Sequence, residues 1–292
     1  TASTLTGGTG TADEIQITAG GNAIASADLA NVSGFEKITA VGYAGGLNIT
    51  LNDANIAAGE TLTIDATSFD DDVLTVDASN ETSGSLVITA DGTGDHQITL
   101  GSGNDTYTST SSAGEDVTAT AGNNTISTGG GADIIIAGTD DDNITAGSGD
   151  DTVRFATANL TSGDTVDGGA GTDSISMTND ATVVDGDFTN MSNVETLTTT
   201  GTVNLTATLG AQALEAGIVT VTLADDNVTD TVTIGSGYTG TITVQLDSDT
   251  TNADVINATS SSATLIVEAD QTEIDTTAAT ITGGTGTSDE IK

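Results

Sequence analysis

Five oxygen-bearing side chains recur at a fixed interval in the middle of this sequence: Glu115, Asn124, Asp133, Asp142 and Asp151, nine residues apart. Each stands two positions ahead of an aliphatic residue, in turn Val117, Ile126, Ile135, Ile144 and Val153, and the intervals are rich in Gly, Asp, Asn and Ser. If the chain coils so that equivalent turns stack, these carboxylates approach one another and repel. A cation held between them converts that repulsion into a fastening. The composition agrees, because 43 Asp+Glu face three Lys+Arg and the formal net charge is -40. Cations are then the natural partners, whereas nucleic acid and anionic membrane surfaces are excluded by charge.

The elements that position these side chains must be thin and repetitive. The chain has 292 residues but only 2% aromatic, no Trp and no Cys, too little bulk for a thick globular core. An acidic, Gly-rich, aromatic-poor sequence also fits disorder. The complete absence of Pro argues against it, since average usage would give roughly 15 in this length. Proline is excluded where nearly every backbone N–H donates to a ladder. No apolar run approaches the roughly 20 residues of a membrane span, so direct membrane insertion is not expected.

Periodicity supplies the ladder. Leu62, Leu74, Leu86 and Ile98 recur every twelve residues, as do Ile64, Val76, Ile88 and Leu100, with Ala66, Ala78 and Ala90 in the same register. Two apolar residues flanking one polar residue make a short strand with one buried face. Repetition every twelve residues predicts coils in which each strand stacks on its equivalent in the next turn. The period shortens to nine near residue 105, and Gly and β-branched content excludes helix there. Later apolar clusters, such as Val219-Val221-Leu223, Val232-Ile234 and Ile242-Val244-Leu246, return every ten to twelve residues. TLTGGTGTADEIQ at 4–16 also reappears as TITGGTGTSDEIK at 280–292, an interval of 276, which suggests one unit of a tandem array and the start of the next.

These residues resemble a known family, the calcium-binding nonapeptide repeats of RTX (repeats-in-toxin) proteins, G-G-x-G-x-D-x-U-x with U aliphatic. GGAGTDSIS at 168–176 fits throughout; GSGNDTY at 101–107, GGGADII at 129–135 and GSGDDTV at 147–153 keep its core. GTDDDNI at 138–144 has Asp140 where Gly is expected, and GGTGTADEI at 7–15 and GGTGTSDEI at 283–291 carry one inserted residue. The pattern suits Ca2+, which takes about six to eight oxygens from carboxylates and backbone carbonyls. Glycine lets a turn aim its carbonyls inward. The resemblance implies metal candidates Asp105, Glu115, Asn124, Asp133, Asp142, Asp151 and Asp173, with Asp13, Asp140 and Asp289 in the variant copies. Alternation of repeats between two sides would pair Glu115 with Asp133, Asp133 with Asp151, and Asn124 with Asp142. The neutral Asn124 and longer Glu115 should make weaker outer turns than the Asp133–Asp151 pair.

A second resemblance, to modules of bacterial RTX surface-layer and giant repetitive surface proteins, rests on GGTGTADEIQI followed by NVSGFEKIT at 31–39 and on GGAGTDSISM followed by NMSNVETLT at 190–198. Glu36 and Glu195 of these modules either add a ligand oxygen or cap a turn, with the cap favoured.

The fold expected is all-β: a right-handed parallel β-helix/β-roll solenoid with a central calcium-binding β-roll, handedness following the general rule for parallel crossovers. Its segments are an RTX-like opening motif and first coils (1–46), twelve-residue coils (47–100), the calcium-binding β-roll (101–156), a second RTX-like module (157–200), irregular coils (201–280) and the start of another repeat (281–292). The resemblance implies a non-enzymatic structural unit of a bacterial extracellular surface assembly, an S-layer, filament or fibre, exported by type I secretion and folded by calcium. Its partners would be neighbouring copies of itself. The alternative is the stalk of an RTX adhesin. The only His, His96, has no partner for a metalloprotease site and is expected in a turn; Asp225–Asp226 is an acidic pair of a kind that chance supplies here; Arg154 alone does not make a lyase cleft. Thr-x-Thr elements are too unevenly spaced in sequence for a lattice-matching face. Ile134 and Ile136, flanking the inward Ile135, should point outward as a contact for a neighbouring chain.

Overall fold

A computed structural model describes residues 4–8, 10, 12–18, 23–41, 46–68, 72–224, 228–246, 254–269, 279–286 and 288–292. Asp225 and Asp226 lie outside the described residues. The chain forms two compact units, Thr1–Asp151 and Thr152–Lys292. Each is a parallel β-solenoid.

In the first unit two sheets face each other across a narrow core. Thr61–Ala66 shows why the strands form: Leu62, Ile64 and Ala66 are buried while the alternating Thr61, Thr63 and Asp65 face out. Leu62 pairs with Leu86, Ile64 with Ile88 and Ala66 with Ala90. Leu74–Asp77 belongs to the opposite sheet, where Leu74 stacks on Leu47 and Val76 lies between Ile49 and Ile98. The twelve-residue interval is therefore half a coil. Strands twelve apart alternate between sheets, and true stacking partners are 24 apart, as Leu62 and Leu86 are. A one-dimensional period cannot separate one strand per turn from two.

The nine-residue region follows the same rule with shorter corners. Tyr107, Ile126 and Ile144 form one inward column and Ile98, Val117 and Ile135 the other. One residue per short strand, such as Asp116–Thr118, reaches the core. Ile136 is exposed, as its position outside Ile135 requires, and Ile134 is half-buried.

In the second unit Ser174–Met177, Thr196–Thr199, Thr220–Thr222, Thr241–Gln245 and Thr264–Glu268 form one sheet. Ala181–Val183, Leu205–Leu209, Thr231–Ile234, Val255–Asn257 and Thr280–Thr282 form another. Here the corners are large enough to carry structure of their own. The helix Ala211–Ala216, built from strong helix formers, caps on the Asp185 carboxylate through the N–H groups of Gly210 and Ala213. Sequence periodicity did not reveal this helix, because six residues are too few to show a period. Phe155, Phe188 and Tyr238 are fully buried in these coils, as Tyr107 is in the first unit. Among the described residues no helix is long and apolar enough to cross a membrane.

Candidate metal centre

The nonapeptide corners of the first unit stack in two columns, and in each the acidic residue reaches back to the turn before it. On one side the Asp133 Oδ1 accepts the Glu115 N–H (2.7 Å) and the Asp151 Oδ1 accepts the Asp133 N–H (2.8 Å). On the other, Asp105 Oδ1 accepts from Leu86 (2.8 Å), Asn124 Oδ1 from Asp105 (3.0 Å) and Asp142 Oδ1 from Asn124 (2.9 Å). The pairs 115–133, 133–151 and 124–142 are thus neighbours in successive turns, eighteen residues apart. Each carboxylate satisfies an N–H that no strand partner reaches.

Close approach of turns is possible only without side chains. An ideal Cβ on Gly149 would sit 1.7 Å from the Gly131 carbonyl oxygen, and one on Gly147 would sit 2.2 Å from that of Gly129. Gly149 also has φ +139, a conformation natural to glycine. Asp140, where the repeat has Gly, adopts φ 73, which Asp tolerates better than most residues. Its exposed carboxylate accepts the Gly122 N–H at 3.1 Å.

The second oxygen of each carboxylate distinguishes the sites. Asp105 Oδ2 accepts the Gly101 N–H of its own turn (3.0 Å), so this carboxyl bridges two turns. Glu115 points inward, where Ser109 and Tyr107 donate hydroxyl protons to Oε1 and Oε2. Asp133 Oδ2 is buried and accepts no hydrogen bond among the described residues. The Thr128 hydroxyl beside it donates its one proton to the Ala146 carbonyl (2.6 Å). Burial pushes Asp133 up to about 6, partly opposed by the Glu115 N–H and reinforced by the nearby Asp151 charge. Burial likewise raises Glu115 to about 7 and Asp105 to about 6, and it raises Asp151 against the pull of the Asp133 N–H. An orphaned carboxylate oxygen in a glycine turn of backbone oxygens fits a hard, oxygen-seeking cation. Among the described residues no three His, Cys or acidic side chains converge, so main-chain carbonyls must supply part of any coordination shell.

A family model for the RTX calcium-binding nonapeptide repeat matches residues 118–153 and 161–176, in four copies. These segments are RTX calcium-binding nonapeptide repeats. The match covers Asn124, Asp133, Asp140, Asp142, Asp151 and Asp173 of the candidate residues, and Ca2+ is the ion such repeats bind. No curated protein and no solved structure matches the chain.

Beyond the tandem corners at 105–151 the same hydrogen-bond pattern continues. Asp289 Oδ1 accepts from Leu265 (3.0 Å) and Oδ2 from Gly284 (3.1 Å); Asp13 Oδ2 accepts from Gly8. Asp173, buried beneath Gly168 of its own turn, donates its N–H to Glu195 Oε2 (2.8 Å), and Asp13 donates likewise to Glu36 (2.8 Å). Both glutamates cap a turn. His96 is a buried member of the same ladder: its Nδ1 accepts the Leu74 N–H (3.1 Å) and its Nε2 faces the Asp91 carbonyl (3.0 Å), while burial lowers its pKa.

Sequence reasoning missed further rungs. Asp230 Oδ1 accepts from Leu205, and Asp254 Oδ1 accepts from Asp230 (2.9 Å). Glu81 is wholly buried, with Oε1 accepting from Ser83 and Gly84 and Oε2 accepting no hydrogen bond among the described residues. None of these lies in a Gly-x-Gly context, which was the signal used. For Asp230 and Asp254 a usable signal was an acid one place before a strand, whereas Glu81 stands four places before Ser85–Ala90 and had none.

Proposed function

We propose that this chain is a calcium-stiffened structural segment of a bacterial extracellular surface assembly, in which the RTX corners act as metal-locked joints. What is established is coarser: calcium-binding RTX repeats set in a parallel β-solenoid, a calcium-stabilised repeat protein of structural kind. The observation that carries the reading further is Asp133, whose second carboxylate oxygen lies buried and unbonded among the described residues of a glycine corner. Asp133, Asp142 and Asp151, with the carbonyls of their turns, would hold the ion. Asp173, in the matched segment 161–176, would be a further donor in its own turn, whereas Asp105, Glu115, Asn124, Asp140, Asp13 and Asp289 have oxygens engaged with backbone or hydroxyl groups and would contribute less. Bound calcium neutralises neighbouring carboxylates, so its binding free energy becomes folding free energy.

Several features support a place outside the cell. Millimolar calcium there would fold a chain kept unfolded by low cytosolic calcium, the mode of export the resemblance suggests. Stacked parallel coils are suited to contact with further copies in an S-layer, filament or fibre. The same features suit an adhesin stalk whose ligand-binding domain lies elsewhere. Catalysis is not proposed, since the buried acids serve the turn ladder.

Circular dichroism during a calcium titration tests the reading. A β signal that grows with calcium and falls in EGTA by the share of the RTX corners is expected. An unaltered signal in EGTA would overturn it, and electron microscopy of the calcium form separates ordered assemblies from single rods.

A further inference from the structure

We infer that residues 280–292 and 4–16 are the same rung of the solenoid, and that the open edge of Thr280–Thr282 and Glu290–Ile291 is built to receive residues 31–41 of a second copy. The inference rests on reading the chain as a structural repeat unit, and it specifies the joint between units.

The two segments differ at three positions, Leu5/Ile281, Ala12/Ser288 and Gln16/Lys292. Their neighbours lie on opposite sides. Leu5–Thr6 pairs with Val32–Ser33, later in the chain, and Glu14–Ile17 pairs with Lys37–Ala40. Thr280–Thr282 pairs with Val255–Asn257, earlier in the chain, and Glu290–Ile291 with Ile266–Val267.

The hydrogen bonds interlock in the same way. A strand in a parallel ladder directs alternate residues to alternate neighbours. In the first segment the N–H groups of Leu5 and Gly7 donate to Asn31 and Ser33, both at 2.9 Å. Their counterparts are Ile281 and Gly283. In the second segment Thr280 donates to Asp254 (2.8 Å) and Thr282 accepts from Ala258 (2.8 Å), so Ile281 and Gly283 face the other way. On the companion strand Asp13 and Ile17 accept from Lys37 and Val41, whereas Lys292 donates to Val267 and accepts from Ala269. Among the described residues, none of these ladder bonds between rungs uses the same backbone group in both copies; Gly8 and Gly284 alike donate within their own turn, to Asp13 and Asp289. The two segments display complementary halves of one continuous ladder.

Transferred onto the open edge, the register is fixed: Ile281 opposite Val32 and Ile291 opposite Ile38 of the second copy. Glu36 of that copy would accept the Asp289 N–H, as Glu36 does from Asp13 here. Ile291, 54% exposed, would be covered, as Ile15 is by Ile38.

The test compares the chain 1–292 with a joined chain in which residue 292 is followed by residue 17 of a second copy, so that one rung serves both. Amide exchange in calcium should slow at Ile281 and Gly283 by roughly tenfold or more on joining, reaching the rates of Leu5 and Gly7. Ile281→Pro, which removes the edge N–H along with the isoleucine side chain, should restore fast exchange at Gly283 in the joined chain while Thr280 and Thr282 stay as protected as in the single chain carrying the same change. Persistently fast exchange at Ile281 and Gly283 overturns the inference. So does a second copy that stays unfolded when it starts at residue 17 but folds when it starts at residue 4. Loss of the calcium response in the single chain would instead overturn the calcium-folding reading, leaving the joint to be judged by exchange.

Discussion

The nonapeptide corners of the first unit and the long coils of the second solve the same problem with different materials. In residues 101–151 each half-coil spends nine residues and buries one column residue, such as Ile126 or Ile135. In the second unit the corners are more variable and some are longer, and each half-coil buries more, with Leu205, Ala207 and Leu209 on one strand, Tyr238 at a corner and a capped helix at 211–216. A buried aliphatic side chain contributes about 1.5–3 kcal/mol, while each ordered residue costs about 1–2 kcal/mol of backbone entropy. The long coils lean on apolar burial. The short ones have little of it, and their stability shifts to the corners, where acids satisfy backbone N–H groups and Asp133 carries an oxygen suited to a cation.

The sharpest way to break this contrast is to remove the metal. Chelation should abolish amide protection through 101–151 while strands such as Thr231–Ile234 and Thr264–Glu268 keep theirs; equal loss in both regions would show that the long coils lean on calcium as well.

Corner packing gives the next effect. Gly149→Ala forces a Cβ into the Gly131 carbonyl and should cost about 3–5 kcal/mol, at the severe end for single substitutions. Gly201→Ala, at φ +71 with open space around it, should cost only the conformational penalty of about 1–2 kcal/mol. Thermal melts of the two variants in calcium measure the gap, and similar losses would refute the idea that the short corners are the tighter ones.

Asp133→Asn and Asp254→Asn sharpen the distinction between metal and ladder. An amide oxygen can still accept the N–H of Glu115 or Asp230, so the ladder survives in both. Only the first should shift the calcium midpoint, by about tenfold, equivalent to about 1.4 kcal/mol.

Acid should produce the smallest effect, with opposite sign from ordinary acid denaturation. Burial raises Asp105, Asp133 and Glu115 from 3.8, 3.8 and 4.5 to about 6, 6 and 7. Between the unfolded and folded values the folded corners bind more protons than the unfolded chain, so their contribution to stability falls as pH rises. In EGTA the 101–151 region should therefore be more stable near pH 5 than near pH 8, with protons standing in for metal. With calcium bound the carboxylates stay ionised and this gain should shrink. Melts at the two pH values, with and without calcium, read both signs.

Much of this was legible in the residues. The nine-residue spacing from Glu115 to Asp151, the inward columns and the RTX likeness at 168–176 all depend on local repetition, which a coil of fixed length must display. The pairs 115–133 and 133–151 followed from alternation between two sides. Other features were hidden because they depend on what lies across the coil. The twelve-residue columns read as one stack and proved to be two interleaved sheets. Glu81, Asp230 and Asp254 carry no glycine signature, and His96 looked like a lone turn residue until its Nδ1 met the Leu74 N–H.

By itself the sequence determined that this chain coils, where its period shortens and which ion its corners suit, because period and residue chemistry are properties of neighbours along the chain. The tertiary structure decided which acids hold backbone and which keep an oxygen to spare. That choice turns on contacts between residues eighteen to twenty-five positions apart, as at Glu115–Asp133 and Leu205–Asp230, and the corner geometry that sets them exists only once the turns are stacked.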